Sequence, residues 1–85
     1  MTADEYRRYY PDCGRSDEEV AESLISASIT IHRLTGGKAS SKLAEIQNAI
    51  GAQAYFLLKH YDDPQKYEEV SLLALNTLHR AELLY

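Results

Sequence analysis

The sequence predicts an all-α fold, a small bundle of four helices in which one short N-terminal helix precedes three longer ones. Apolar residues recur at spacings of three and four, which is the period of a helix with one buried face. Capping residues, prolines and a glycine pair divide the chain into four such segments, and no period-two alternation typical of strands interrupts them. A length of 85 residues fits one helical domain, 1–85.

The first predicted helix begins at Thr2 and ends at Tyr10. The Thr2 hydroxyl can cap the helix while Glu5, three residues later, completes a capping box. Pro11 disfavours helical geometry in the residue before it, so the helix is expected to stop there. Tyr6 and Tyr10 are four residues apart, which allows this short helix to lay aromatic rings on a neighbour.

The second predicted helix carries the clearest boundary signals in the chain. Ser16 and Glu19 form a capping box at its start, and Gly36 or Gly37 suits the left-handed cap at its end. One buried stripe is predicted from Val20, Leu24, Ala27, Ile31 and Leu34. Ile25 and Ile29 point well away from this stripe, so the helix is apolar on more than one face.

The third predicted helix begins at Ser40 or Ser41 and runs to about Tyr61. Its stripe is formed by Leu43, Ile46, Ile50, Ala54, Leu57 and Tyr61. Gly51 inside this helix costs roughly 1 kcal/mol relative to alanine, which a close helix crossing would explain.

The fourth predicted helix runs from Pro64 towards the C-terminus, with an aspartate before the proline as its N-cap. One face is predicted from Val70, Leu73, Ala74, Thr77, Ala81 and Leu84. Four leucines point elsewhere around the cylinder, namely Leu72, Leu75, Leu78 and Leu83. Either this helix is central to the bundle, or some of these leucines meet another subunit.

Charge and cysteine content narrow the function classes. Nine Lys and Arg residues against thirteen Asp and Glu residues give a net charge of -4, which argues against a module that binds nucleic acid through its phosphates. The sequence has neither a membrane span nor the apolar core of a signal peptide, which predicts a cytosolic protein. A single cysteine, Cys13, excludes an intramolecular disulfide and a cysteine-based zinc site.

The residues that could carry chemistry do not form a recognisable site. His32, His60 and His79 lie on three different predicted helices without a metal-binding spacing, and Cys13 has no identifiable base. Gly36-Gly37-Lys38 resembles part of a phosphate loop but follows a helix instead of a strand, so it is interpreted as a helix end. The prediction is therefore a protein without catalytic residues, metal or cofactor, and not an enzyme.

A basic corner leaves one alternative open. Arg33, Lys38 and Lys42 lie close together in an otherwise acidic chain, where they either form a solvated charged surface or contact a partner. A small helical DNA-binding or regulatory protein is the alternative function. The connection from Leu34 to Ser41 is longer than a helix-turn-helix motif needs, which makes this the weaker hypothesis.

Several short motifs occur in the order found in one protein family. The first helix contains Glu5-Tyr6, the second begins with Ser-Asp-Glu-Glu at 16–19, and its end reads Ile-His-Arg-Leu-Thr-Gly-Gly at 31–37. The chain closes on Leu-His-Arg-Ala-Glu-Leu-Leu-Tyr at 78–85. This order resembles the head-tail connector, or adaptor, proteins of tailed bacteriophages and prophages.

The resemblance implies a structural protein of virion assembly. Members of that family form a ring, usually dodecameric, beneath the portal protein, where they extend the DNA channel and offer a docking surface to the next tail component. The expected places are the bacterial host cytoplasm during assembly and the head-tail junction of the virion, with no specific nucleic-acid or membrane binding. The interface candidates under this hypothesis are Ile25, Ile29, Arg33, Lys38, Lys42, Leu72, Leu75 and Leu83.

Overall fold

Local capping signals fix both ends of the first two helices. The computed structural model describes residues 1–11, 14–36, 44–63 and 69–82, and within them α1 spans Ala3–Tyr9 and α2 spans Asp17–Thr35. Thr2 caps α1 and Ser16 caps α2, each through a complete capping box. Gly36 ends α2 in the left-handed conformation, at φ 62°, where a residue without a Cβ is favoured. The predicted caps at Thr2 and Ser16 and the predicted glycine cap of α2 are confirmed, and α1 ends one residue before the predicted Tyr10.

The remaining two helices complete an all-α fold. Helix α3 spans Ala44–Lys59 and α4 spans Leu72–Arg80, and the described part of the chain contains no strand. The predicted start of the third helix at Ser40 or Ser41 lies outside the described residues, as does Leu43. Its end comes two residues before Tyr61, which lies in a turn.

Helix α3 is the central helix of the bundle. Nine of its 16 residues are buried, and both α2 and α4 pack mainly against it. The predicted stripes of α2 and α3 form most of the core, except that Leu34 and Tyr61 are only partly buried. All four helices contribute to this core, which contains Tyr6, Val20, Leu24, Ala27, Ile31, Ile46, Ala49, Ile50, Ala52, Ala54, Leu57, Leu58, Ala74 and Leu78.

Gly51 lies where the residues flanking α1 approach α3. A Cβ placed on Gly51 would lie 3.3 Å from the Met1 Cε and Sδ atoms and 3.6 Å from Tyr10 Cε2. The first two distances are tight, so the methionine side chain packs directly over the glycine. The close helix crossing predicted at this position is not what lies over Gly51: the close approach is made by the side chains of Met1 and Tyr10, which lie outside α1.

The prediction for the fourth helix is wrong in its start and in its buried face. Glu69 and Val70 are not helical, and the N-cap of α4 is Ser71 instead of an aspartate before Pro64. Of the face predicted for this helix, Ala74 is fully buried but Leu73 is exposed, whereas Leu78, predicted to point away from that face, is fully buried. Leucines occupy so many positions of this segment that several helical stripes fit the pattern equally well, and the periodicity does not select one.

Gln53 fixes the entry of α4 against α3. Its side chain is fully buried, its Nε2 donates to the Glu69 carbonyl at 2.9 Å, and its Oε1 accepts from the Ser71 amide at 2.7 Å. Both ends of the amide are thereby satisfied, as a buried polar group requires. This pair of hydrogen bonds sets the position at which the last helix begins.

Candidate functional site

The predicted interface residues of α2 lie on its outer side. Ile25 is 64% exposed and Ile29 is 51% exposed, although Val20, Leu24, Ala27 and Ile31 of the same helix are buried. Ile25 and Ile29 are one helical turn apart, so their side chains form a continuous aliphatic surface. Arg33 is also exposed and lies one further turn along the same helix. We call Ile25 and Ile29 the α2 patch.

A second aliphatic surface lies at the start of α4. Leu72 is 72% exposed, and its neighbour Leu73 is 56% exposed. Leu75, the other predicted interface residue within α4, is half-buried. Sequence reasoning missed Leu73 because it assigned that residue to the buried face. We call Leu72 and Leu73 the α4 patch.

Three of the predicted interface residues cannot be placed. Lys38, Lys42 and Leu83 lie outside the described residues, so the basic corner is represented by Arg33 alone.

A cleft lined by tyrosines lies between the end of α1 and the C-terminal half of α3. Its volume is about 450 Å³, and its lining includes Tyr6, Tyr9, Tyr10, Tyr55, Arg15 and Lys59. We call it the tyrosine cleft. The four-residue spacing of Tyr6 and Tyr10 indicates aromatic packing between α1 and a neighbour, but no local pattern identifies Tyr55 as their partner.

Three rings of the tyrosine cleft form a stack. The Tyr6 and Tyr10 ring centroids are 4.8 Å apart at an interplanar angle of 26°, and those of Tyr10 and Tyr55 are 4.9 Å apart at 22°. Tyr10 is therefore covered on both faces, and Tyr6 is fully buried. Burial, followed by the charge of a nearby Tyr55 phenolate, raises the pKa of the Tyr10 hydroxyl above its ordinary value.

Polar contacts hold one wall of the tyrosine cleft in place. Arg7 Nε donates to Asp17 Oδ1 at 3.0 Å, and Arg7 Nη2 donates to the Arg15 carbonyl at 2.7 Å. Arg15 Nη1 lies 3.4 Å from Glu19 Oε2, and its guanidinium carbon lies 4.8 Å from the centroid of the Tyr61 ring. These contacts join α1 to the start of α2 and orient the Arg15 side chain.

The histidines occupy separate surroundings. His32 is half-buried on α2, the ring of His60 packs at 4.9 Å from that of Phe56, and His79 is exposed near the end of α4. Within residues 1–11, 14–36, 44–63 and 69–82, no three His, Cys, Asp or Glu side chains are grouped so that they could hold a metal ion. Cys13 lies outside these ranges. No helix in the same ranges has the length and hydropathy needed to cross a bilayer.

The resemblance to connector proteins rests on short motifs, so it stays a prediction. No family model, curated protein or solved structure matches this chain.

Proposed function

We propose that this protein is a structural head-tail connector subunit of a tailed bacteriophage or prophage. In this function it packs against further copies of itself in a ring beneath the portal protein, extends the DNA channel and joins the head to the next tail component. The observation that carries the proposal is the pair of exposed aliphatic surfaces, the α2 patch and the α4 patch, on a chain whose core is already filled.

The placement of the two patches supports assembly into a ring. Helices α2 and α4 both pack mainly on α3, so the two patches belong to different outer helices. A subunit with two different contact surfaces can form head-to-tail contacts, in which one patch of each copy meets the other patch of the next copy. Such contacts generate a closed ring when the rotation between subunits closes.

The charge of the chain supports the same proposal. A net charge of -4 gives a channel wall with little attraction for the phosphate backbone, so that DNA can pass without being retained. The protein would then join head and tail through apolar contacts between subunits. These contacts would form in the host cytoplasm during assembly and persist at the head-tail junction of the virion.

The test is the molar mass of the protein in solution, measured by light scattering at several concentrations, with and without a portal ring from the genome that encodes this chain. The expected result is binding to the portal ring in a fixed multiple of copies. Ile25→Ser and Leu72→Ser are expected to abolish this binding while leaving the helical circular dichroism unchanged, because both side chains are exposed.

Matched controls are Ser26→Ala on α2 and Asn76→Ala on α4, both at exposed positions. They are expected to bind the portal ring as the unmodified protein does. Absence of both self-association and portal binding would contradict the proposal. Titration with duplex DNA at low salt would then test the alternative, since only a DNA-binding protein would show an affinity that falls as salt is added.

A further inference from the structure

The tyrosine cleft is a candidate binding site that ring formation does not use. Its volume of about 450 Å³ falls in the range of pockets that hold small molecules or short peptide segments. It is lined by residues of α1, of α3 and of the segment between α1 and α2, whereas the α2 and α4 patches lie outside it. Its occupant can therefore be inferred independently of the proposed function.

The exposed rings of the cleft indicate which kind of ligand fits. Both faces of Tyr10 are covered by Tyr6 and Tyr55, and Tyr6 is fully buried, so neither of these two rings is open to a ligand. The exposed side chains are Tyr9 and Tyr55, at 66% and 45%, with Pro11 beside them. Neighbouring aromatic side chains that form the wall of a groove are the surface on which extended, proline-containing peptides dock.

The charge of the cleft selects among such peptides. Arg15 and Lys59 are its charged lining residues, and no carboxylate of the described residues lines it. Arg15 is oriented by Glu19 and Tyr61, and Lys59 has no ion pair within the described part of the chain. Arg15 is already paired with Glu19, so Lys59 is the cation of the cleft that remains for a ligand. A carboxylate of the ligand would complement it.

We propose that the tyrosine cleft binds an extended, proline-containing peptide segment of a partner protein, with acidic residues flanking its prolines. The prolines pack against Tyr9 and Tyr55, and a flanking carboxylate pairs with Lys59. Because the stacked rings are held together before binding, little ordering of the protein is needed when the peptide docks.

The experiment uses the full chain and a fluorescently labelled library of decapeptides, each with two prolines three residues apart and flanks that are acidic, neutral or basic. Binding is measured by fluorescence anisotropy. Acidic peptides are expected to bind at least tenfold more tightly than their basic counterparts. Replacing both prolines by alanine is expected to weaken the best acidic peptide at least tenfold.

Three variants locate the binding. Tyr55→Ala is expected to weaken the best peptide at least tenfold, and Lys59→Glu to remove the preference for acidic flanks. Arg80→Glu makes the same change of charge at an exposed position outside the cleft and is expected to bind as the unmodified protein does. Circular dichroism checks that each variant is folded.

Other outcomes would overturn the proposal. The first is that no peptide class binds with a dissociation constant below 1 mM. The second is that acidic and basic peptides bind equally well. The third is that neither Tyr55→Ala nor Lys59→Glu weakens peptide binding. Adenosine monophosphate and a thymidine oligonucleotide serve as further probes. If either probe displaces the labelled peptide, and if the Tyr55→Ala variant no longer binds that probe, the cleft would be assigned to nucleotides instead.

Discussion

Tyr10 connects the packing of single residues to the behaviour of the protein at high pH. Its ring lies between those of Tyr6 and Tyr55, and burial together with the Tyr55 phenolate raises the pKa of its hydroxyl. The folded protein therefore holds the Tyr10 proton more tightly than the unfolded chain does. This tighter binding of the proton stabilises the folded protein. By linkage, the stabilisation is complete below pH 10, the ordinary tyrosine pKa, and is lost as the pH rises through the higher pKa that Tyr10 has in the folded state.

We expect Tyr10→Phe to remove part of the decrease in stability above pH 10, because phenylalanine keeps the stacked ring without the ionising hydroxyl. The measurement is the free energy of unfolding from urea titrations between pH 8 and pH 11. Tyr9→Phe, an exposed tyrosine on the same helix, controls for the loss of a hydroxyl. A Tyr10→Phe variant with the full alkaline decrease of the unmodified protein would contradict this assignment.

Residue-level signals in the sequence predict those features that depend on near neighbours. The capping boxes at Thr2 and Ser16 join residues three positions apart, so they can be recognised without the fold. The partner of Tyr10 cannot, because Tyr55 lies on α3, far along the chain, and only the folded structure brings the two rings together. For the same reason the sequence gives no indication of the tyrosine cleft.

At the scale of helices, the prediction is most accurate where the apolar pattern is unambiguous. The stripe of α2 has polar residues beside it, and the buried face was correctly predicted from it. In α4 the leucines surround the helix, and the buried face depends on how Gln53 holds Ser71. That hydrogen bond spans eighteen positions in the chain, and a glutamine in an apolar helix gives no sign of its partner.

Gln53 also determines how firmly α4 is held. We expect Gln53→Leu to lower the free energy of unfolding by about 2–3 kcal/mol, because the Ser71 amide and the Glu69 carbonyl would lose their bonds to the buried amide. Urea denaturation followed by circular dichroism measures the change. Asn48→Ala, at an exposed position of α3, is expected to change stability by no more than about 0.5 kcal/mol. Equal stability of Gln53→Leu and the unmodified protein would contradict the role assigned to Gln53.

At the scale of the whole molecule, the four helices differ in how many side chains they bury in the core. Helix α3 is buried along most of its length, whereas α4 contributes only Ala74 and Leu78 to the core and exposes Leu72 and Leu73. The same distribution leaves two aliphatic patches on the outer helices, on which the proposed ring assembly rests. The predicted single domain stays a prediction, and the all-α fold is confirmed.

This difference predicts the order in which backbone amides exchange with solvent. We expect α4 amides to be protected at least tenfold less than α3 amides, because a helix with few buried side chains opens more readily than the centre of the bundle. Hydrogen-deuterium exchange followed by NMR measures this for each amide. Equal protection of the two helices would show that they open together.

The Gln53 hydrogen bonds link the start of α4 to α3, the most buried helix of the bundle. Detachment of α4 must break both bonds and leave the Gln53 amide unsatisfied in the interior, which raises the free-energy cost of opening α4 on its own. A protein that loses this link would unfold in two steps, through an intermediate in which α1, α2 and α3 keep their packing. One polar side chain in an apolar core thereby couples the opening of α4 to the packing of the rest of the bundle.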